Sequence, residues 1–250
     1  MKTGDIIPFG KYEWRVLDVQ NGKALLLSEK IIEQRAYHDP FASSPPLSDE
    51  ITWETCTLRG YLNGKFYNSF SEEDKARIIE TTIKNPDNLW YGTIGGNDTR
   101  DKIFLLSIEE ADRYFGNSGD YLKKRRKNFG YNPRREEFYC FKDAGGAYIT
   151  NKYDNDRVAE GYDDRDIEPC DTPPPGGRAH GGVKPGWRPV KWALRSHGEP
   201  DSFDDGEPGG YSDMVAHVES DGKINVGGSG VTVSLADGVG VRPALWLSLE

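Results

Sequence analysis

The side chains able to do chemistry are few and scattered along this chain. Four histidines, His38, His180, His197 and His217, stand far apart in sequence. A Ser-His-Asp relay needs its serine on a strained turn, and no G-x-S-x-G element is present to build one. The cysteines Cys56, Cys140 and Cys170 form no C-x-x-C pair. Cys170 and His180 flank a Pro/Gly loop, but two ligands do not make a zinc site. Sparse, odd cysteines fit a reducing compartment and argue against a disulfide framework. Cys56 on an apolar helical face reads as a small buried hydrophobe. Asp154-Asn-Asp156, Asp163-Asp-Arg-Asp166 and Asp201–Glu207 could offer oxygens to calcium, yet none has EF-hand spacing. They read as solvated acidic loops. Gly227-Gly-Ser-Gly230 lies between predicted strands and not before a helix, so it is no phosphate loop. No cofactor is expected; calcium is the one ion the acidic runs could serve.

The charge balance narrows the partners. A formal net charge of −9 disfavours polyanions such as nucleic acid or an anionic membrane surface. Lys123-Lys-Arg-Arg-Lys127 and Arg134-Arg135 run against that trend, with Tyr121, Phe129 and Tyr131 nearby. They read as a solvated basic face, so no nucleic-acid partner is expected. The start of the chain has no signal-peptide core, and no stretch is long and apolar enough for a membrane span. The expected location is cytoplasmic, with phage or surface association only through partners.

The elements that would position a site are short. Residues 5–28 read as a β-hairpin, with Asn21-Gly22 as its tight turn. Residues 39–50 read as loop. Leu58, Tyr61, Leu62 and Phe66 share one face of a helix over 55–66. Ser71 reads as the N-cap of a second helix. Asp101–Leu106 reads as a buried strand, and Ser107-Ile-Glu-Glu110 as a capping box opening a helix to Phe115. Residues 116–190 are the least regular, with one strand near Gly146–Thr150; the Pro/Gly runs at 171–177 and 181–186 are loop chemistry. Strands return at Trp192–Arg195, Met214–Glu219, Lys223–Val226, Val231–Leu235 and Val241–Leu249, with Pro243 needing an edge, a bulge or a free N–H position. The expected core holds Trp14, Leu17, Leu26, Leu62, Phe104, Leu106, Trp192, Leu194, Val233, Leu245 and Trp246.

Period-two alternation splits these last strands into two faces. Ala216, Val218, Ile224, Val226, Val231, Val233 and Leu235 fall on the inward side. His217, Glu219, Asn225, Thr232 and Ser234 then form an outward polar set. An ordinary solvated sheet face would give the same alternation.

Several blocks together resemble a bacterial and phage domain family of unassigned function. They are Phe9–Leu17, Ala24–Ser28, Thr52-Trp-Glu-Thr-Cys-Thr-Leu-Arg59, Tyr61-Leu-Asn-Gly64, Asn97-Asp-Thr99, Asp101–Glu110, Trp192-Ala-Leu-Arg-Ser196 and Gly240-Val-Arg-Pro-Ala-Leu-Trp246. This chain departs from the usual pattern at Ala193, where a second Trp is common, at His197, where Pro is common, and in the insertion at 171–187. The resemblance implies an α+β, C-type-lectin-like fold, in the branch that also holds formylglycine-generating enzymes. It further implies kinship with variable proteins of diversity-generating retroelements, in which a C-terminal segment is hypermutated to alter ligand binding. The matching segment here is about 196–239. It carries the outward set together with His197, Glu199, Asp201, Phe203, Tyr211 and Ser212.

The expectation is one domain over 1–250: hairpin and helices over 1–115, an irregular insertion over 116–190, and a C-terminal sheet over 191–250. Its function would be non-catalytic ligand binding, with a protein or surface ligand as partner. Phe203 and Tyr211 would anchor and polar neighbours would select. The alternatives are an enzyme of the sulfatase-modifying superfamily with a degenerate or novel site, and a structural module of a phage or envelope assembly. The cysteine chemistry of the formylglycine-generating enzymes is disfavoured, because no cysteine follows Cys170.

Overall fold

The computed structural model describes residues 1–39, 51–115, 129–132, 137–140, 148–149, 152–163, 186–199, 214–228, 231 and 239–250. The N-terminal hairpin forms as its sequence requires. Strands β1 (Ile6–Phe9), β2 (Tyr12–Gln20) and β3 (Lys23–Ser28) pair antiparallel. Asn21 and Gly22 both take positive φ, 48° and 73°, the combination a two-residue turn of matching twist demands. The last strand of the chain then adds to β3, so the two chain ends share one sheet. Its order is β1-β2-β3-β17-β5, where β5 is Ile78–Ile79 and β17 is Ala244–Ser248. Trp14, Leu26 and Leu245 are wholly buried there.

A second sheet has the order β10-β15-β14-β13-β16-β4, from Tyr148–Ile149, Ile224–Asn225, Val215–Val218, Trp192–His197, Val239–Val241 and Glu33–Arg35 respectively. Its β13–β16 pair is parallel and its other pairs are antiparallel. The chain passes between the sheets at Arg242-Pro243. Pro243 sits between two strands, where no ladder N–H is asked of it, and its carbonyl accepts from Ser28 N at 2.9 Å. Buried Arg242 secures the crossing by donating to the carbonyls of Ser28 (2.9 Å), Arg157 (3.2 Å) and Glu29 (3.3 Å). Its guanidinium lies 5.1 Å from the ring of Trp192 and 5.7 Å from that of Phe115. Burial lowers its pKa to about 9, so it remains a cation at neutral pH.

The predicted 55–66 helix is real but irregular. Helix α1 (Thr57–Tyr61) runs into a π-helical turn at Leu62–Phe66 and a 3-10 turn at Tyr67–Ser69. Asn63 explains the widening. Its amide donates to the Arg59 carbonyl (3.2 Å), within the helical ladder, and to the Ile103 carbonyl (2.8 Å). Its oxygen accepts from Lys102 N and Ile103 N. A side chain inserted into the i→i−4 ladder distorts a helix, and here it ties that helix to the next segment. Cys56 caps α1 and is buried, with its thiol pKa pushed up to about 12 by desolvation. Ser71 caps α2 (Glu72–Arg77), and Ser107 with Glu110 forms both halves of the capping box on α3 (Ile108–Tyr114).

Asp101, at the end of β7 (Thr99–Asp101), is the polar hub of this half. The pairing of β7 with β6 (Thr81–Ile83) sets it facing the helix. One oxygen accepts from Trp53 Nε1 (2.9 Å) and Thr99 Oγ1 (2.7 Å), the other from Arg59 Nε (2.7 Å). Asp101–Leu106 was expected as one strand. Only its first residue lies in β7; Phe104 then makes an isolated bridge to Ala244.

Short elements occupy the described residues of 116–190. They are β8 (Phe129–Asn132) paired with β9 (Glu137–Cys140), strand β10, helix α4 (Asp154–Arg157), and β11 (Glu160–Asp163) paired with β12 (Gly186–Pro189). These strands are four residues or fewer, too short for alternation to mark them. Among the described residues, no helix is long and apolar enough to cross a membrane. The chain is an α+β protein in which sheet dominates.

Candidate functional site

The C-terminal strands place a polar row across the second sheet. Tyr148 pairs with Asn225, Asn225 with His217, and His217 with Ala193, so four strands contribute adjacent positions on one face. Glu219, two residues beyond His217, lies on the same side. Its Oε1 accepts from His217 Nε2 and Asn225 Nδ2, each at 3.1 Å, and its Oε2 meets Lys191 Nζ at 3.1 Å. His217 Nδ1 lies 3.0 Å from the Val215 carbonyl, so both ring nitrogens face acceptors. Asn225 Oδ1 accepts from Gly228 N at 2.8 Å.

This row corrects the outward set. His217 and Asn225 are wholly buried, and all four residues of β14 are buried on both faces. Helix α3 packs against β13 and β15. Alternation separates a polar from an apolar face; it does not reveal whether another layer covers the polar one. The buried polar groups are instead hydrogen-bonded to each other, as burial requires. His197, expected as a loop residue, is the last residue of β13 and is also buried. Glu199 and Glu219 are half-buried. Asp201, Phe203, Tyr211, Ser212, Thr232 and Ser234 lie outside the described residues, as does core candidate Val233. Every other core candidate is buried.

Beside this row, the chain ends that flank 200–213 and 229–230 converge. Glu199 and Met214 are joined by Met214 N to Glu199 O (3.3 Å), and Gly198 N donates to Met214 O (2.7 Å). Glu199 N donates to Gly227 O, Val215 N to Val231 O, and Val231 N to Gly228 O. A collar of backbone bonds thus holds both departures and returns. Asn88 locks it from outside, donating to the carbonyls of His197 (2.6 Å) and Val226 (2.8 Å), while Thr93 donates to Gly198 O (2.9 Å). A Cβ on Gly198 would collide with the Gly227 carbonyl, and Gly228, at φ 76°, presses on that of Val215. The sequence reading missed Asn88 and Thr93, whose partners are backbone carbonyls more than a hundred residues distant, and Lys191, which meets the Glu219 carboxylate across two strands. Only the glycine density near 227–230 hinted at the close approach.

The buried titratable groups make acid stability a direct readout of this region. Desolvation lowers the pKa of His197 from 6.5 to about 4. Burial alone would raise Glu219, but hydrogen bonds from His217, Asn225 and Lys191 win and bring it from 4.5 down to about 2. Both folded-state values lie below the unfolded ones, so the unfolded chain binds more protons on acidification. Stability is therefore expected to fall as pH drops from about 6.5 to 4 through His197, and from about 4.5 to 2 through Glu219. Urea melts across pH 7 to 2 test this, and Glu219→Gln should flatten the lower limb alone. A pH-independent midpoint over both windows would contradict it.

Among the described residues, no group of three or more His, Cys, Asp or Glu side chains gathers as a metal site. The titratable side chains of the row are committed to one another, an arrangement that holds a sheet together. No curated protein and no solved structure matches the chain. A family model described as "Domain of unknown function (DUF6273)" matches residues 21–249. That span takes in all of the second sheet, strands β3, β5 and β17 of the first, the Asp101 hub and the collar, and the chain belongs to the DUF6273 family.

Proposed function

We propose that this protein is a non-catalytic ligand-binding module with a C-type-lectin-like frame, whose contact surface is built from residues 200–213, 229–230 and 232–238. The observation that carries the reading is the collar. Four chain ends meet within hydrogen-bonding distance at one end of the second sheet. Segments held at both ends lose less freedom on binding, so more of the contact energy appears as affinity. The buried row beneath, from Tyr148 to Ala193, carries the stability. Replacement within the spans then leaves the frame intact, the division of labour expected of a diversity-generating retroelement variable protein. Of the sequence candidates, Asp201, Phe203, Tyr211, Ser212, Thr232 and Ser234 keep the contact role. His197, His217 and Asn225 become supports.

Two measurements test this. Sequencing the gene and its flanks from independent isolates should reveal a reverse-transcriptase gene, a template repeat of about 196–239, and replacements confined to 200–213, 229–230 and 232–238. Replacements spread evenly over the frame would refute it. Exchanging 200–213 for a Gly/Ser linker of equal length should leave the urea unfolding free energy within about 1 kcal/mol of the parent, since changes away from the frame cost little. A collapse of the fold would make those residues structural.

A further inference from the structure

A cleft with the makings of a binding site lies outside the collar. It measures about 300 Å³ and lies where the β1–β2 turn, the end of β3 and strand β12 come together. Lys11, Glu13, Ser28, Lys30, Ile31 and Trp187 line it. Its volume sits at the lower bound for small-molecule pockets.

Three independent features mark it. First, Trp187 is 56% exposed, whereas the other five tryptophans, Trp14, Trp53, Trp90, Trp192 and Trp246, are at most 8% exposed. An indole left in water on a chain that buries all its others is a surface held open for contact. Second, Trp187 is the cross-strand partner of Tyr162, itself 53% exposed, with the rings edge to face at 6.0 Å. Third, the hydroxyl of Ser28 is buried and has no hydrogen-bond partner, although Ser28 is 1% exposed. A buried polar group without a partner is uncommon and calls for an explanation.

The platform is rigid. Ile31 N donates to the Glu160 carbonyl (2.9 Å), and Val190 N donates to that of Ala159 (3.2 Å). Gly161 packs so closely on Val190 and Ile31 that an added Cβ would clash. The Gln34 amide donates to the Tyr162 carbonyl at 3.2 Å. Lys30 is fixed over the Trp187 ring at 4.7 Å and pairs with Glu160 at 3.4 Å.

The chemistry of the rim selects the ligand. A charged ligand calls for one sign of charge. This rim offers both, Lys11 and Lys30 against Glu13, with a hydroxyl beneath. Donors and acceptors set around an aromatic face suit a neutral molecule with hydroxyls on its edge and C–H groups on its flat side. We infer that this cleft is a binding site for a neutral saccharide, with Trp187 as the stacking platform and Glu13, Ser28 and Lys11 as hydrogen-bonding groups. It shares no residue with 200–213 or 229–238, so its failure leaves the collar reading untouched.

Saturation-transfer NMR on the full chain, with glucose, N-acetylglucosamine, maltose and cellobiose at millimolar concentration, tests the assignment. Glucose 6-phosphate and a poly-glutamate peptide serve as anionic arms. At least one neutral sugar is expected to bind saturably. Trp187→Ala should weaken it roughly tenfold or more, the effect of losing a central aromatic anchor. Glu13→Gln, at an exposed position, should weaken it without any change in melting temperature. Absence of transfer to all four neutral sugars overturns the inference, as does binding that survives Trp187→Ala. Binding of the anionic probes alone overturns it too, because the two lysines would then be the recognising groups.

Discussion

Asp101→Ala is expected to lose about 3–5 kcal/mol of folding stability, read as the shift in urea unfolding free energy. The carboxylate has no exposed side-chain surface, and three donors converge on it: Trp53 Nε1, Thr99 Oγ1 and Arg59 Nε. Removing it leaves a guanidinium and an indole N–H facing a cavity. An unpaired buried donor costs more than the bond it made was worth. Asp101→Asn keeps the shape and one acceptor, so it should lose less than Asp101→Ala. Because Arg59 and Asp101 belong to one network, Arg59→Met in the Asp101→Ala background should cost less than Arg59→Met alone. Additive effects would mean that the three donors are not coupled through the carboxylate.

Arg242→Ala is expected to be of similar size, about 3–5 kcal/mol, for a different reason. Here the charge meets no carboxylate by hydrogen bond; its donors are spent on the carbonyls of Ser28, Glu29 and Arg157. Those carbonyls come from the end of β3, the segment after it, and α4. The side chain is therefore a clamp at the point where the last strands change sheet. Arg242→Lys keeps the charge but cannot place donors in three directions, so it should recover little of the loss. Arg242→Met fills the space between Trp192 and Phe115 and relieves the desolvated charge, so it should do better than Ala. If Arg242→Lys melts like the parent, charge and not geometry is what the site needs.

These two residues belong to the sequence blocks that carry the resemblance. Trp53, Arg59, Asn63, Asp101, Arg195 and Arg242 are conspicuous because each carries a polar group into or against the core. Each hydrogen-bonds across long sequence separations: Arg195, for one, donates to the Leu105 carbonyl at 2.6 Å and pairs with Glu110. They pin helix to strand and sheet to sheet. Motif residues of this kind report the frame, and a ligand would be sought among the residues the motifs leave out.

Local signals were legible where the physics is local. Asn21-Gly22, the Ser71 cap, the Ser107–Glu110 box and the strands around Trp192 and Leu245 follow from backbone preference and from side chains within four residues. Tyr148, Asn225, His217 and Ala193 form a row only because four strands from distant parts of the chain take one register. Nothing in a period of two tells whether a polar face meets water or another layer.

The sequence by itself determined the α+β class and the buried position of core residues such as Trp14, Leu62, Trp192 and Leu245, because both depend on composition and short-range periodicity. Tertiary structure alone decided that His217 and Asn225 are supports, that Glu199, Met214, Gly228 and Val231 gather into one collar, and that Trp187 stands open beside Ser28. Burial and proximity belong to pairs of residues far apart in the chain, and such pairs are set by packing.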